Sequence, residues 1–165
     1  ITTNSKKYYN IMRKIRNLGS DKKFIHDFIG VNSRLDTLQA SILSRKLKFL
    51  DKINLSKKKI ANYYNQNINN DKIRKINYSK SCVFHQYVIL TNKRNKLIKL
   101  LKTKNIPFGF HYPYPIHQIH SLKGFFKNQT YPNAEKIAKE GISLPIDSNL
   151  TIKNLQKITK IINSL

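Results

Sequence analysis

Beyond Val83 the spacing of apolar residues switches repeatedly between two periods, and that order leaves few architectures open. Val83 to Leu90 is rich in β-branched and aromatic residues and reads as a strand. Thr91 or Asn92 can cap a helix over Lys93 to Lys104, whose inner face carries Leu97, Ile98 and Leu101. Ile106 to Phe110 reads as a second short strand. His111 to Tyr131 contains Pro113 and Pro115, which fix φ and lack an N–H, so an extended loop is expected there. Asn133 to Glu140 predicts a short helix, and Ile142 to Leu144 a strand ended by Pro145. Asp147-Ser148-Asn149 makes a turn. Thr151 then caps a last helix with Ile152, Leu155, Ile158, Ile162 and Leu165 facing inward. Mixed elements joined by short connections predict a small α/β sandwich, a small sheet with helices on one face.

The first half reads differently. Ser5 to Leu18 predicts a helix with Tyr8, Ile11, Ile15 and Leu18 at helical spacing, closed by Gly19. Ser20 to Ile29 is a polar, aromatic-dotted loop. A second helix is expected from near Ser33 to about Asn65. It carries Leu35, Leu38, Ile42 and Phe49 on one stripe and Leu43, Leu47, Leu50 and Ile53 beside it, so it meets neighbours on two sides. Asn65 to Lys80 is polar, with Ile73 and Ile76 placed for a short strand. The expected boundary lies in or near the long helix, giving domains 1–50 and 51–165.

The chain has 165 residues and a formal net charge of +24, from 32 Lys+Arg against 8 Asp+Glu. Such a charge concentrates anions and releases counterions from nucleic acid. The cations are nevertheless spread along the whole length, beside abundant Asn and Ile, and no finger spacing or aromatic nucleic-acid motif accompanies them. The charge therefore reads first as compositional, with no specific nucleic-acid partner. A basic nucleic-acid-binding module is the alternative. No apolar run approaches membrane-helix length, so no membrane partner is expected. One cysteine, Cys82, rules out a disulfide framework within the chain and accords with a cytoplasmic location. Its neighbours suggest a buried strand thiol.

Two clusters can carry chemistry. Gly30 permits a sharp turn, and Asn32 or Ser33 can cap the following helix, with Arg34 and Asp36 in its first turn. Alternatively, Asn32 can donate its amide to a phosphate at that helix start. The second cluster is His111-Tyr112-Pro113-Tyr114-Pro115-Ile116-His117, followed by His120. Near-neutral histidines suit proton transfer and hydrogen bonds to sugar hydroxyls or diphosphate. A zinc site on His117 and His120 would lack cysteines and nearby acids, so no metal is expected. His85, in Val83 to Ile89, reads as a structural strand histidine.

The segment Gly30-Val31-Asn32-Ser33-Arg34-Leu35-Asp36-Thr37-Leu38-Gln39-Ala40 resembles the G-x-N-x-R-L-D-x-L-Q-A-A signature of the DegT/DnrJ/StrS-type sugar aminotransferases. The His111–His117 loop is similar to that family's H-Y-P-x-P-x-H. His85-Gln86-Tyr87, Asn133-Ala134-Glu135 and Ser143-Leu144-Pro145 match further motifs in the same order. Arg16-Asn17-Leu18-Gly19 resembles R-N-H-G, with Leu18 in place of the histidine.

The resemblance implies the C-terminal part of a fold-type I, pyridoxal-phosphate-dependent transferase: a long helix followed by a small sheet covered by helices. Residues 1–50 would end the large cofactor-binding domain and 51–165 would form the C-terminal small domain. It further implies a homodimer with shared active sites, in which Asn32 binds the phosphate of the partner subunit's pyridoxal phosphate. His111, Tyr112 and His117 become substrate-side candidates, and Arg34 a weaker one that can instead hold the loop. The implied substrate is a nucleotide-linked keto-sugar, aminated with glutamate as donor, for amino-sugar and cell-surface polysaccharide biosynthesis. The family's Schiff-base lysine stands in an S-x-x-x-x-K setting that this chain lacks, so no catalytic residue is assigned. The expectation is a fragment inactive alone, with an inactive truncated copy as an alternative.

Overall fold

Where apolar side chains alternate along strands or recur along helices in the second half, the computed structural model shows them packed around one core. It describes every residue except Lys23, Lys127 and Asn128, so parts of the two expected loops, 20–29 and 111–131, lie outside the described residues. The chain divides into two units, Ile1–Phe49 and Leu50–Leu165.

In the second unit, α3 (Leu50–Asn67) is followed by a three-stranded antiparallel sheet of order β3 (Arg74–Lys75), β4 (Tyr87–Leu90), β5 (Gly141–Leu144). Helices α4 (Arg94–Thr103), α5 (Pro132–Glu140) and α6 (Ile152–Asn163) complete it. Register places Tyr87 opposite Leu144 and Ile89 opposite Ile142, all buried, while Val88 opposite Ser143 faces the other way. Ile60 and Tyr64 of α3, Leu97 and Leu101 of α4, and Leu155, Ile158 and Ile162 of α6 join the same core. Each such fully buried aliphatic side chain stabilises the unit by about 1.5–3 kcal/mol. The expected α/β architecture is present, with α4, α5, β5 and α6 close to their predicted spans.

The Asn-rich sequence supplies joints rather than bulk. Asn163 donates to Asn67 O at 2.8 Å and accepts from Asn69 N–H at 2.9 Å, while the Asn70 amide donates to Ile162 O and Asn163 O. These bonds satisfy carbonyls left open at two helix ends. Lys75 Nζ does the same for Asn65 O and Ile68 O at the end of α3. Thr151 caps α6 through a reciprocal bond pair with Asn154. The cap expected at Thr91 or Asn92 falls instead on Lys93, whose amide donates to Thr91 Oγ1.

Strand boundaries differ from expectation for local reasons. Only Tyr87–Leu90 of Val83–Leu90 is strand, because Phe84 takes φ 54° and Cys82 sits half-buried in the preceding turn. Ile106–Phe110 meets β5 through one bridge, Gly109 to Ser143, since Pro107 has no amide to extend the pairing. The His111–Tyr131 segment is not extended throughout. It contains short 3₁₀ turns at Ile116–Gln118 and Lys123–Phe126.

The first unit contains α1 (Lys6–Ile15), a short antiparallel pair β1 (Ser20–Lys22) and β2 (Ile25–His26) where a loop was expected, and α2 (Thr37–Leu47). The predicted long helix is therefore two helices, α2 and α3. A continuous helix would set Arg45 against Lys48 and Lys48 against Lys52, like charges at three- and four-residue spacing that destabilise each turn by a few tenths of a kcal/mol. Among the described residues of this unit, only Gly19 and Ser20 are buried.

Candidate functional site

Residues 28–35 run back along the end of α1 as a backbone strap. Val31 N–H donates to Ile15 O at 2.8 Å, Leu18 N–H to Val31 O at 3.1 Å and Ser33 N–H to Arg16 O at 2.9 Å. Gly30 must be glycine for this approach, because a Cβ there would stand 2.1 Å from Gly19 N and 2.5 Å from Ile15 O. Gly19 itself holds φ +76°, the left-handed region that glycine enters without strain. The strap explains why Asn32 and Ser33 do not cap α2. Their backbone is committed to the chain at Arg16 and Asn17, Leu35 turns with φ 61°, and Asp36 becomes the N-cap.

Two arginines lock the strap. Arg16 donates to Ser33 O at 3.0 Å and to Arg34 O, and Arg34 Nε donates to Asn17 Oδ1 at 2.6 Å. The sequence motif around Arg16 assigned it no role, yet it bears the strap's side-chain bonds. Arg13, Arg16, Asn17, Ser20, Asp21 and Arg34 line a hollow of about 290 Å³ whose three guanidinium groups favour an anion. Asn32 is exposed, and among the described residues its side-chain amide has no partner. It is free to donate outward.

A second hollow, of about 340 Å³, lies in the other unit against the outer face of β5. It gathers three motifs that are far apart in sequence: His85 with Gln86, Gly109 with His111, and Ser143 to Pro145. Gly109 pairs with Ser143 in both directions, at 2.9 and 3.1 Å. The next turn brings His111 Nδ1 to 2.8 Å from Ser143 Oγ. A Cβ on Gly109 would meet the His111 ring at 2.8 Å, so glycine lets the imidazole lie against the backbone. Ser143 was legible in sequence as the first residue of the Ser143-Leu144-Pro145 motif. Its role as the fixing partner of His111 was not.

The remaining candidates separate. Tyr112 is 74% exposed, its ring 5.7 Å from that of His111. His117 is outside the hollow's lining and turns to α5, with Nε2 3.0 Å from Glu135 Oε1. Because a carboxylate oxygen only accepts, Nε2 carries the proton in that bond. His85 is exposed at the hollow and has no hydrogen-bond partner among the described residues, unlike the backbone-bonded strand histidine expected.

The sequence profile of the DegT/DnrJ/EryC1/StrS aminotransferase family matches residues 1–163. A dTDP-3-amino-3,6-dideoxy-alpha-D-galactopyranose transaminase from Aneurinibacillus thermoaerophilus is 35% identical over 99% of this chain and 45% of its own length. A UDP-2-acetamido-2-deoxy-3-oxo-D-glucuronate aminotransferase from Pseudomonas aeruginosa is 29% identical over 96% of this chain and 44% of its own. Among solved structures, S. venezuelae DesV in complex with a ketimine intermediate matches with a TM-score of 0.88 and 28% identity, covering 99% of this chain and 45% of that one. The chain thus spans about 45% of the length of such relatives. With a match over nearly its whole length, it belongs to the DegT/DnrJ/EryC1/StrS aminotransferase family.

Proposed function

We propose that this chain forms the C-terminal part of a pyridoxal-phosphate-dependent aminotransferase that aminates a nucleotide-linked keto-sugar for amino-sugar biosynthesis, with glutamate as donor. Family membership along the chain carries the reading, together with relatives whose names specify dTDP- and UDP-linked sugars. Residues 1–50 would close the large domain, and 51–165 form the small one. The working unit is a cytoplasmic homodimer. Among the described residues no helix is long and apolar enough to cross a membrane.

The donor set suits the cofactor's phosphate. An exposed, unpartnered Asn32 amide stands on a strap held by Arg16 and Arg34, beside an arginine-lined hollow. Asn32 would donate to the phosphate of the cofactor in the partner subunit. The strap fixes the backbone beneath it, so little ordering entropy is lost on binding. Bound pyridoxal phosphate supplies the electron sink for amino transfer. On the substrate side, Ser143 orients the His111 imidazole, and exposed Tyr112 beside it meets the sugar nucleotide. His117 serves the same loop from Glu135. The lysine that would hold the cofactor covalently belongs to an upstream half.

The test is to express this chain joined to that upstream half and record the visible absorption of bound cofactor, then its change on adding glutamate. No cofactor band under excess pyridoxal phosphate sinks the reading. In that enzyme Asn32→Ala is expected to weaken cofactor retention by about 1.5–3 kcal/mol, the value of a hydrogen bond to a charged group. Unchanged affinity, measured by equilibrium dialysis, removes Asn32 from the phosphate site.

A further inference from the structure

The segment from Gly109 to Tyr131 is fixed at two places by different means. At its entry, the Gly109–Ser143 bridge and the His111–Ser143 hydrogen bond tie it to β5. Further along, a single oxygen does the work. Glu135 Oε1 lies 3.0 Å from His117 Nε2 and also accepts the Tyr131 backbone N–H at 3.0 Å. The His117 ring packs against Tyr131 with centroids 4.9 Å apart, and Tyr131 meets Phe126 at 6.2 Å.

Glu135 is suited to this joint by its place in α5. It sits in the first turn, where the helix dipole favours a carboxylate, and reaches back to the amide of the cap residue Tyr131, whose side chain does not cap the helix. The His117 side chain is only 9% exposed while Glu135 stays 37% exposed, so the bond is shielded from competing water on the ring side. Between the two fixed histidines lie only Tyr112, Pro113, Tyr114, Pro115 and Ile116. Both prolines restrict φ, and the two tyrosines remain 74% and 67% exposed. The result is a short, stiff arch anchored at His111 and His117, presenting two tyrosines outward.

We propose that Glu135 is a positioning residue for the substrate loop: by holding His117 at the mouth of α5, it sets where the His111–Tyr114 arch meets the sugar nucleotide. This rests on the aminotransferase reading for its consequence in turnover, though not for the joint itself. Glu135 touches no reacting atom. It acts by ordering the arch before substrate arrives, which lowers the entropy lost on binding.

The experiment has two arms. On this chain, hydrogen exchange of residues 116–126 is compared between wild type, E135A, E135Q and H117A. E135A and H117A are each expected to raise exchange there roughly tenfold, with the double variant no worse than either single one. β5 and α6 amides should stay unchanged. E135Q keeps an oxygen that accepts both bonds and should remain near wild type. Exchange of 116–126 that E135A leaves unmoved, a rise shared equally by β5 and α6, or E135Q as labile as E135A each overturns the joint. In the complete enzyme, E135A should raise KM for the sugar nucleotide roughly tenfold with little change in kcat, and E135Q should restore it. A fall in kcat at unchanged KM overturns the positioning role. A wild-type enzyme with no turnover instead overturns the aminotransferase reading, and the exchange arm still decides the joint.

Discussion

Residues 1–49 and 50–165 solve the problem of staying folded in opposite ways. The second unit buries Tyr64, Tyr87, Ile89, Leu97, Leu101, Ile142 and Ile162 around one sheet. Among its described residues the first buries no apolar side chain. Leu38, Ile42, Leu43 and Leu47 of α2 are all more than half exposed, as are Val31 and Leu35 of the strap. What holds the first unit is backbone pairing between the strap and α1, reinforced by Arg16 and Arg34. Hydrogen bonds exposed to water contribute little net stability without burial around them. The contrast teaches that the second unit carries its own core, while the first leaves its apolar side chains exposed.

The largest expected effect puts that contrast directly at risk. In this chain, β4 and β5 amides such as Ile89 and Ile142 should exchange a thousandfold or more slower than an unstructured peptide, on the order expected for a domain of ordinary stability. The strap amides of Val31 and Ser33 should fall within roughly tenfold of the unstructured rate. If the proposed complete enzyme covers α2 and the strap, those same amides become protected in it. Strap amides as slow as β4 in the isolated chain would break the comparison.

Substitution sharpens it. Ile142 is fully buried at the centre of the sheet, and Ile142→Ala should cost about 2–5 kcal/mol through lost burial and a residual cavity. Leu38 is 74% exposed, and Leu38→Ala should change stability by less than about 0.5 kcal/mol. Both are read from thermal or urea midpoints of the chain. Equal costs would mean that α2 has an apolar neighbour the exposure values exclude.

How far the sequence foretold these units follows from the same physics. Helices α4 and α6 were legible because burial imposes a periodic inner face, as Leu97 and Leu101 or Leu155, Ile158 and Ile162 show. The strap was not, because it depends on Arg16 and Asn17 pairing with Ser33 and Asn32, which no local period records. The motif around Asn32 located the segment but assigned it to a helix start. Likewise the His111 loop was visible as prolines and histidines, while its fixing partners Ser143 and Glu135 lie 32 and 18 residues away from the histidines they hold. Motif residues were readable. Ser143 and Glu135 stood in motifs too, but which histidine each one orients is set by tertiary pairing.

A change of one buried hydroxyl tests the core's polar side. Tyr64 donates to Pro145 O at 2.8 Å and Tyr87 to Asn65 Oδ1 at 2.6 Å, with their rings 5.0 Å apart. Burial, and then each ring's tyrosine neighbour, pushes both hydroxyls well above the ordinary value of 10.0. Above that value the unfolded chain releases protons that the native chain still holds. Stability is therefore complete below about pH 10 and falls as pH rises beyond it. Tyr64→Phe removes one such proton and the bond to Pro145, costing about 0.5–1.5 kcal/mol at neutral pH. It should also flatten the decline in thermal midpoint above about pH 10, because one fewer hydroxyl then ionises in the unfolded chain while staying protonated in the native one. A decline as steep in the variant as in wild type would show that Tyr64 contributes nothing to it. The alkaline sensitivity of the self-sufficient unit would then have to arise from Tyr87 and from Tyr78, whose hydroxyl is also raised by burial.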